Sequence, residues 1–252
     1  MSSEIDRHRL VFVGGLHRSG TTLLASLIAE HPDASGFSDT GVPADEGQHL
    51  QSVYPPAHVY GGPGRFGLNP ASRLTEASEL VSPANRDKLF SEWSRHWDLA
   101  KPVLIEKSPP NLIRSRFLQA LFPEAFFVVI LRHPAVVALA TEKWSKTSLS
   151  SLLRHWLVCH RIFEEDRPHL ARVLVASYER LAQDPASCLA GVQAFLGLAP
   201  RPTEPDVRSD GNLPYLERWR QLGLRGALLR LRFERAIEPF GYSLNWAFAA
   251  PC

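Results

Sequence analysis

The chain has 252 residues, of which 44% are hydrophobic and 21% charged, and its formal net charge is +2. This balance is typical of a folded globular protein. The net charge is too small to indicate nucleic-acid binding, which is typical of strongly basic chains. No window approaches the roughly 18 apolar residues of a membrane span, and the polar residues 1–9 contain no secretory signal. The three cysteines are widely spaced and indicate reduced thiols: Cys159, Cys188 and Cys252. We therefore expect a cytoplasmic protein without a nucleic-acid partner.

The first predicted strand, residues 10–13, runs into a glycine-containing turn and then into a helix that ends near Glu30. Four consecutive apolar residues are typical of a strand that is buried on both faces. A turn that leads from a strand into a helix N-terminus binds phosphate through free N–H groups and the helix dipole. Gly15 and Gly20 have the spacing of a nucleoside-triphosphate loop, but Thr21 stands where the lysine of that loop belongs. The sequence therefore predicts a phosphate loop of another kind.

Glycines and prolines concentrate in residues 34–73, with a short predicted helix at 46–53. Loops of this length are uncommon in compact domains and are usually functional. We therefore predict that residues 37–73 form a lid over the site.

A helix of about fifteen residues is predicted next, because Ser82 is a suitable N-cap and Pro83 suits the first helical position.

Three further apolar runs predict strands at residues 103–106, 125–131 and 173–176. The segments between and after them predict helices at residues 111–122, 134–144, 149–163 and 185–196. Strands that alternate with helices indicate a single α/β domain, residues 1–252, with a central parallel sheet. Ligands of such sheets bind at the carboxyl ends of the strands. Four polar residues lie just past those ends: Arg18, Lys107, Arg132 and Tyr178.

Two basic helical pieces are predicted after the proline-rich residues 200–212. Four arginines there have a spacing that predicts a solvated helix face, with an anion site as the alternative: Arg225, Arg230, Arg232 and Arg235. Most of the tryptophans are predicted to lie in the core: Trp93, Trp97, Trp144, Trp156 and Trp219.

Three motifs resemble those of the sulfotransferases that use 3′-phosphoadenosine 5′-phosphosulfate (PAPS). Residues 16–22, LHRSGTT, are similar to the loop that binds the 5′-phosphosulfate. Residues 128–134, VVILRHP, resemble the strand and turn at the 3′-phosphate, and residues 177–185, SYERLAQDP, resemble an element of the tyrosylprotein sulfotransferase branch. The resemblance implies a three-layer, P-loop-like α/β fold. It also implies PAPS as co-substrate, adenosine 3′,5′-bisphosphate (PAP) as product, and no metal.

The resemblance further implies a role for each matching residue. The loop residues hold the 5′-phosphate and the sulfonate: His17, Arg18, Ser19, Gly20, Thr21 and Thr22. Arg132 binds the 3′-phosphate through its planar guanidinium, and Tyr178 lies near the adenine. Arg218 falls where a late lysine of the family reaches the nucleotide.

One position departs from the family pattern at the 3′-phosphate. The serine usually found eight residues after the arginine is Ala140 here. Thr141 and Lys143 are the two candidates that could replace it.

Catalysis in this family depends on charge at the transferred group. Lys107 matches the lysine that neutralises the sulfonate and the leaving oxygen in the tyrosylprotein branch, and Arg18 adds a second cation. An alcohol acceptor also needs a base within hydrogen-bond reach. Asp39 stands where that branch carries its glutamate base, but Glu46 follows closely. Both carboxylates therefore stay candidates for the base.

These observations predict a bacterial-type cytosolic sulfotransferase that acts on a hydroxyl of a small molecule or glycan. The acceptor is a carbohydrate, a lipid or another natural product, and residues 37–73 cover it. One alternative is a small-molecule kinase with a P-loop, against which Thr21 argues. A second is a nucleotide-binding module without activity, against which Lys107 and the nearby carboxylates argue. No histidine or cysteine spacing matches a metal site.

Overall fold

The computed structural model describes residues 2–201 and 207–245. Its five strands are β1 (Arg9–Gly15), β2 (Ala34–Ser35), β3 (Val103–Lys107), β4 (Phe126–Leu131) and β5 (Val173–Ser177). They form one sheet in the order β2-β3-β1-β4-β5, and every neighbouring pair is parallel. The four apolar runs identified in the sequence all form strands, so the predicted parallel α/β sheet is confirmed. The two-residue β2 was not predicted.

Helices cover both faces of this sheet and complete a three-layer fold. Within the described residues they are α1 (Ser2–Ile5), α2 (Thr21–Ala29), α3 (Pro83–Trp93), α4 (Ser115–Leu121), α5 (Pro134–Ser145), α6 (Leu149–Asp166), α7 (Tyr178–Gln183), α8 (Pro185–Phe195), α9 (Leu213–Arg220) and α10 (Gly223–Ile237). Alternate side chains of β1 face opposite layers. Leu10 and Phe12 join a cluster with α3, α4 and α6, whereas Val11 and Val13 join a cluster with α2 and α8. The sheet is therefore buried on both sides.

The helix predicted at residues 111–122 is wrong in its first part. A 3₁₀ turn occupies Pro109–Ile113, and α4 begins only at Ser115. Bonds between residues three apart close this turn, since Asn111 N donates to Ser108 O at 3.0 Å and Arg114 N donates to Asn111 O at 3.2 Å. Arg114 separates the two pieces with φ −128° and ψ 8°, and its buried Nε donates to the carbonyl oxygen of Ser72 at 3.0 Å. By contrast, Ser82 caps α3 as predicted, since its Oγ accepts from Asn85 N.

The segment predicted as a lid is a series of 3₁₀ turns. They lie at Pro43–Asp45, Gly47–His49, Ala57–Tyr60, Phe66–Leu68 and Pro70–Ser72. The short helix predicted at residues 46–53 is therefore wrong beyond a single turn. Tyr54, Ala57 and Phe66 from this segment are buried in the main hydrophobic cluster. This packing holds the segment against the body of the protein, and its role as a lid stays a prediction.

The tryptophans follow the prediction with one exception. Four are buried, but the side chain of Trp144 is 58% exposed at the end of α5, so its predicted place in the core is wrong. Cys159 and Cys188 are buried free thiols, and Cys252 lies outside the described residues. In the described part of the chain, no helix has the length and apolar character needed to cross a bilayer.

Phe12 tests how far the two-sided core stabilises the fold. Its ring is buried, stacks on Phe127 at a centroid distance of 5.6 Å and contacts Trp93. We expect Phe12→Ala to lower the free energy of unfolding by about 3–5 kcal/mol, measured by urea denaturation. Leu228→Ala is the control, because this side chain is 67% exposed and its loss should cost less than about 0.5 kcal/mol. Equal losses in the two variants would contradict this account of the core.

Candidate active site

The strand register brings the predicted polar residues to one rim of the sheet. Val13 of β1 pairs with Lys107 of β3, and Gly15 pairs with Ile130 of β4. Since Arg132 follows β4 and Tyr178 follows β5, both leave the sheet at the same edge as the turn after β1. This turn, residues 16–20, is called the anion loop below. Free first-turn N–H groups of α2 lie at its end.

The anion loop is held in a tight conformation by its own backbone. Gly20 has φ 102° and precedes α2, a conformation that glycine adopts without a steric penalty. Arg18 has φ 71°, which is uncommon for a residue with a side chain. The Oγ of buried Ser19 donates to the carbonyl oxygen of Leu16 at 2.6 Å. The Ser19 hydroxyl therefore closes the loop from within.

The side chain of Arg132 contacts residues from three separate segments of the chain. Its guanidinium lies over the ring of Tyr178, 3.7 Å from the centroid. It donates from Nη1 to Arg18 O and from Nη2 to Gly211 O, both at 2.9 Å, and from Nε to Asn212 Oδ1 at 2.8 Å. These contacts fix the plane of the guanidinium, which suits the recognition of a phosphate.

A cleft of about 520 Å³ opens beside Arg132 and is strongly cationic. Its lining residues include five cations and one acid: Arg18, Arg132, Lys143, Arg208, Arg218 and Asp210. The acid pairs with Arg208, and Arg218 pairs with Glu142 of α5 at 2.6 Å. Even with these pairs the cations are in excess. The cleft is therefore suited to a ligand with several negative charges.

Lys107 and Glu46 form a buried ion pair on the other side of the anion loop. Lys107 Nζ lies 3.8 Å from Glu46 Oε1 and donates to the carbonyl oxygen of Ala44. Burial lowers the pKa of Lys107, while the charge of Glu46 opposes this shift. Burial raises the pKa of Glu46, while Lys107 and Gln48 oppose that shift. Lys107 also shares a cavity of about 60 Å³ with Thr22 of α2.

The two carboxylates that were candidates for the base have different surroundings. Glu46 is buried against Lys107, whereas Asp39 is exposed and has φ 51°. Asp45 is bonded to Thr40, since its Oδ1 accepts from N at 2.8 Å and from Oγ1 at 2.6 Å. Of the two candidates, Glu46 is the one for which the structure gives a contact with a cation of the site.

Glu106 supports the segment that carries Glu46, although it was not among the residues predicted for the site. Its buried carboxylate accepts from Ser108 Oγ at 2.5 Å and from Asn111 Nδ2. Ser108 Oγ in turn accepts from Gln48 N at 2.8 Å. Ser108 is thus a link in this chain of bonds, and its side chain does not cap the 3₁₀ turn that follows. A side chain on Gly47 would collide with the Glu106 carboxylate. The one signal in the sequence is an acidic residue within a buried strand.

Two other residues that were predicted to bind the nucleotide do not line the open cleft. Thr141 is buried, and its methyl group faces Gly64. Its hydroxyl has no partner among the described residues. The ring of His17 meets Phe66 edge-on at 5.7 Å. Burial, and to a smaller extent the charge of Lys107, lower the pKa of His17 to about 3, so its imidazole is neutral.

Known proteins match both the sequence and the fold. The model of the sulfotransferase family matches residues 11–202, and the chain belongs to that family. Over 202 residues it is 24% identical to protein-tyrosine sulfotransferase 2 of Gallus gallus, a match that covers 75% of this chain and 51% of the relative. The chain thus spans about half the length of the curated relatives that it resembles in this way.

Two solved structures show how widely the fold is shared. A sulfotransferase from Mycobacterium avium superposes with a TM-score of 0.57 at 11% identity, covering 96% of this chain and 80% of that chain. The sulfotransferase domain of the Synechococcus PCC 7002 olefin synthase has a TM-score of 0.56 at 18% identity, covering 93% and 94%. At these identities the likeness establishes the fold.

Glu106 gives a prediction that does not depend on any activity. Burial raises the pKa of Glu106 from 4.5 to about 7, against the hydrogen bonds of Ser108 and Asn111. The folded state therefore retains a proton that the unfolded state loses, so this contribution to stability disappears as the pH rises through 7. Between about pH 5 and pH 8, the wild type should lose about 2–3 kcal/mol more unfolding free energy than Glu106→Gln. If the unfolding free energies of the wild type and of Glu106→Gln, measured by urea denaturation, change in parallel with pH, the shifted pKa is contradicted.

Proposed function

We propose that this protein transfers the sulfuryl group of PAPS to a hydroxyl group of an acceptor. The observation that carries the proposal is the anion loop between two differently charged environments. On one side is the cationic cleft with Arg132, and on the other is the buried pair of Lys107 and Glu46. Membership of the sulfotransferase family supports this activity over that of a P-loop kinase, as does Thr21 in place of a lysine.

PAPS fits the chemistry of the cationic cleft. In the proposed complex the anion loop and the α2 N-terminus bind the 5′-phosphosulfate, with Arg18, Thr21 and Thr22 nearest to it. Arg132 binds the 3′-phosphate, and Tyr178 lies near the adenine. Arg218 lines the same cleft and contributes charge at its mouth. Thr141 does not line this cleft, so Arg132 rather than Thr141 is proposed to hold the 3′-phosphate.

Transfer would proceed by in-line displacement at sulfur. The acceptor oxygen forms a bond to sulfur while the bond from sulfur to the 5′-phosphate oxygen breaks, and PAP leaves. Lys107 and Arg18 stabilise the negative charge that develops on the leaving oxygen and the sulfonate. Glu46 accepts the proton of the acceptor hydroxyl. No step requires a metal ion, because side-chain cations carry the charge stabilisation.

The acceptor is proposed only as a class. Hydroxyl groups of carbohydrates, lipids and other natural products fit the in-line chemistry, and the Gallus gallus relative is named for protein tyrosine. Residues 37–73 contribute to the acceptor side, because Glu46 lies within them. A location in the cytoplasm stays a prediction.

Arg132 tests the donor. The wild type should bind PAP with a Kd in the low micromolar range or below, roughly −7 to −8 kcal/mol. Arg132→Ala should weaken this binding by about 30-fold or more, because a charged phosphate then loses its planar partner. Arg132→Lys keeps the charge and should recover only part of the affinity.

Isothermal calorimetry measures these affinities, with Arg172→Ala as the matched control. Arg172 is half-buried, pairs with Glu124 at 2.6 Å and precedes β5 at the opposite end of the strand from Tyr178. Its removal should leave the Kd unchanged. Absence of PAP binding by the folded wild type would reject the proposed donor.

Glu46 tests the base. Glu46→Gln should lower kcat by about 10²–10⁴-fold while PAP binding is retained, and Asp39→Asn should remain close to the wild type. The base acts when it is ionised, and burial raises the pKa of Glu46. Activity should therefore increase as the pH rises through this raised pKa, and the acidic limb should be missing in Glu46→Gln.

An acceptor screen with radiolabelled PAPS provides the rates, and mass spectrometry identifies the product. The outcome that contradicts the assignment is a large loss of kcat in Asp39→Asn with near-normal turnover in Glu46→Gln. In that case the exposed carboxylate would be the base.

A further inference from the structure

The last long helix, α10, has two apolar faces. Its inner face packs into the protein through Gly226, Leu229, Phe233 and Ile237. Three more leucines lie at spacings of four and three residues and are largely in solvent: Leu224 is 86% exposed, Leu228 67% and Leu231 85%. At 100° per residue this stripe lies opposite the inner face. An amphipathic helix of a globular protein normally presents polar residues there, so the outer stripe is unusual.

Arginines border the leucine stripe. Arg225, Arg232 and Arg235 are exposed beside it. Within the described part of the chain, Arg232 and Arg235 form no ion pair, and Arg225 pairs with Glu142 at 3.6 Å. The one acid of α10, Glu234, accepts hydrogen bonds from Ser243 Oγ and Leu244 N, away from the stripe. Arg225 is thus paired, and the exposed Glu238 directly follows the helix. The outer face of α10 therefore combines leucine with an excess of positive charge that comes from Arg232 and Arg235.

We propose that the outer face of α10 docks the protein on an anionic lipid bilayer. A helix with exposed leucines and flanking arginines lies in the bilayer interface, with its apolar stripe at the acyl boundary and its cations at the headgroups. Anionic lipids complement the charge of this face, and each arginine near the surface adds to the attraction. A second copy of the chain is less suitable, because pairing two α10 helices would bring arginine against arginine.

The docking face lies next to a residue that lines the cationic cleft. Glu142 of α5 pairs with Arg225 at the start of α10 and with Arg218, which lines the cleft. A bilayer against α10 therefore lies near Arg218, one of the residues that line the cleft. This proposal does not depend on the proposed sulfuryl transfer, because lipid binding is measured without a donor or an acceptor.

Vesicle co-sedimentation of the full chain tests the proposal. Vesicles of phosphatidylcholine that contain phosphatidylglycerol should bind the protein at low salt, and pure phosphatidylcholine vesicles should bind it weakly. High salt should reduce the bound fraction, since the attraction to the headgroups is screened. Absence of binding to the anionic vesicles would overturn the proposal.

Variants separate the two components of the face. The triple variant Leu224→Ser, Leu228→Ser, Leu231→Ser and the double variant Arg232→Glu, Arg235→Glu should each lower vesicle binding by about tenfold or more. Leu99→Ser is the apolar control, with a side chain that is 37% exposed elsewhere. Arg7→Glu with Arg95→Glu makes the same change in net charge away from α10. Unchanged unfolding midpoints show that the variants fold.

Three results contradict the docking surface. If the control pair of arginines matters as much as Arg232 and Arg235, the binding reflects net charge alone. If the leucine variant binds like the wild type, the apolar stripe is not inserted. If sedimentation shows a dimer that the leucine substitutions dissociate, and vesicles are not bound, a second copy covers α10.

Discussion

The parallel pairing of β1 with β3 on one side and with β4 on the other sets the geometry of the site. Because the side-chain period of a strand is two residues, a slip of one position would turn Lys107 to the opposite face of the sheet. The observed register places Lys107 beside Val13, and Ile130 beside Gly15. Helices cover both faces of the sheet, so such a slip would move each apolar set into the packing of the opposite layer and disrupt both clusters. The position of the charged groups at the rim therefore depends on the apolar core beneath them.

Burial makes the pair of Lys107 and Glu46 sensitive to the loss of either member. Removing one partner of a buried ion pair leaves an uncompensated charge, which typically costs about 3–5 kcal/mol. The same burial strengthens the interaction of Lys107 with any nearby anion, because little water surrounds the ammonium group. Glu106 adds a second buried acid to this region, and its pKa of about 7 limits how much extra negative charge it carries at neutral pH. The charges and their supporting hydrogen bonds thus form a single unit.

Local pattern was sufficient for four of the five strands and for the residues at their rim, but not for the two-residue β2. Strands that are buried on both faces are continuous apolar runs in the sequence. In a parallel sheet the carboxyl ends of the strands lie at one rim, so the residue that follows each run also lies there. The contacts around Glu46 could not be predicted in this way, because Gln48 and Ser108 are 60 positions apart in the chain. Spacing alone therefore left Asp39 and Glu46 equivalent. The prediction that Trp144 lies in the core was wrong for a related reason. The hydrophobicity of a residue does not show which face of α5 is left uncovered in the fold.

Arg18 shows why a strained residue persists at the centre of the site. A non-glycine residue in the left-handed region costs of order 1 kcal/mol or more, and glycine at this position would remove the cost. Glycine would also remove the guanidinium, which lies 4.7 Å above the ring of Trp144 at the cleft. The same conformation directs the Arg18 carbonyl to Nη1 of Arg132. One strained residue therefore contributes a cation to the cleft through its side chain and orients a second cation through its backbone.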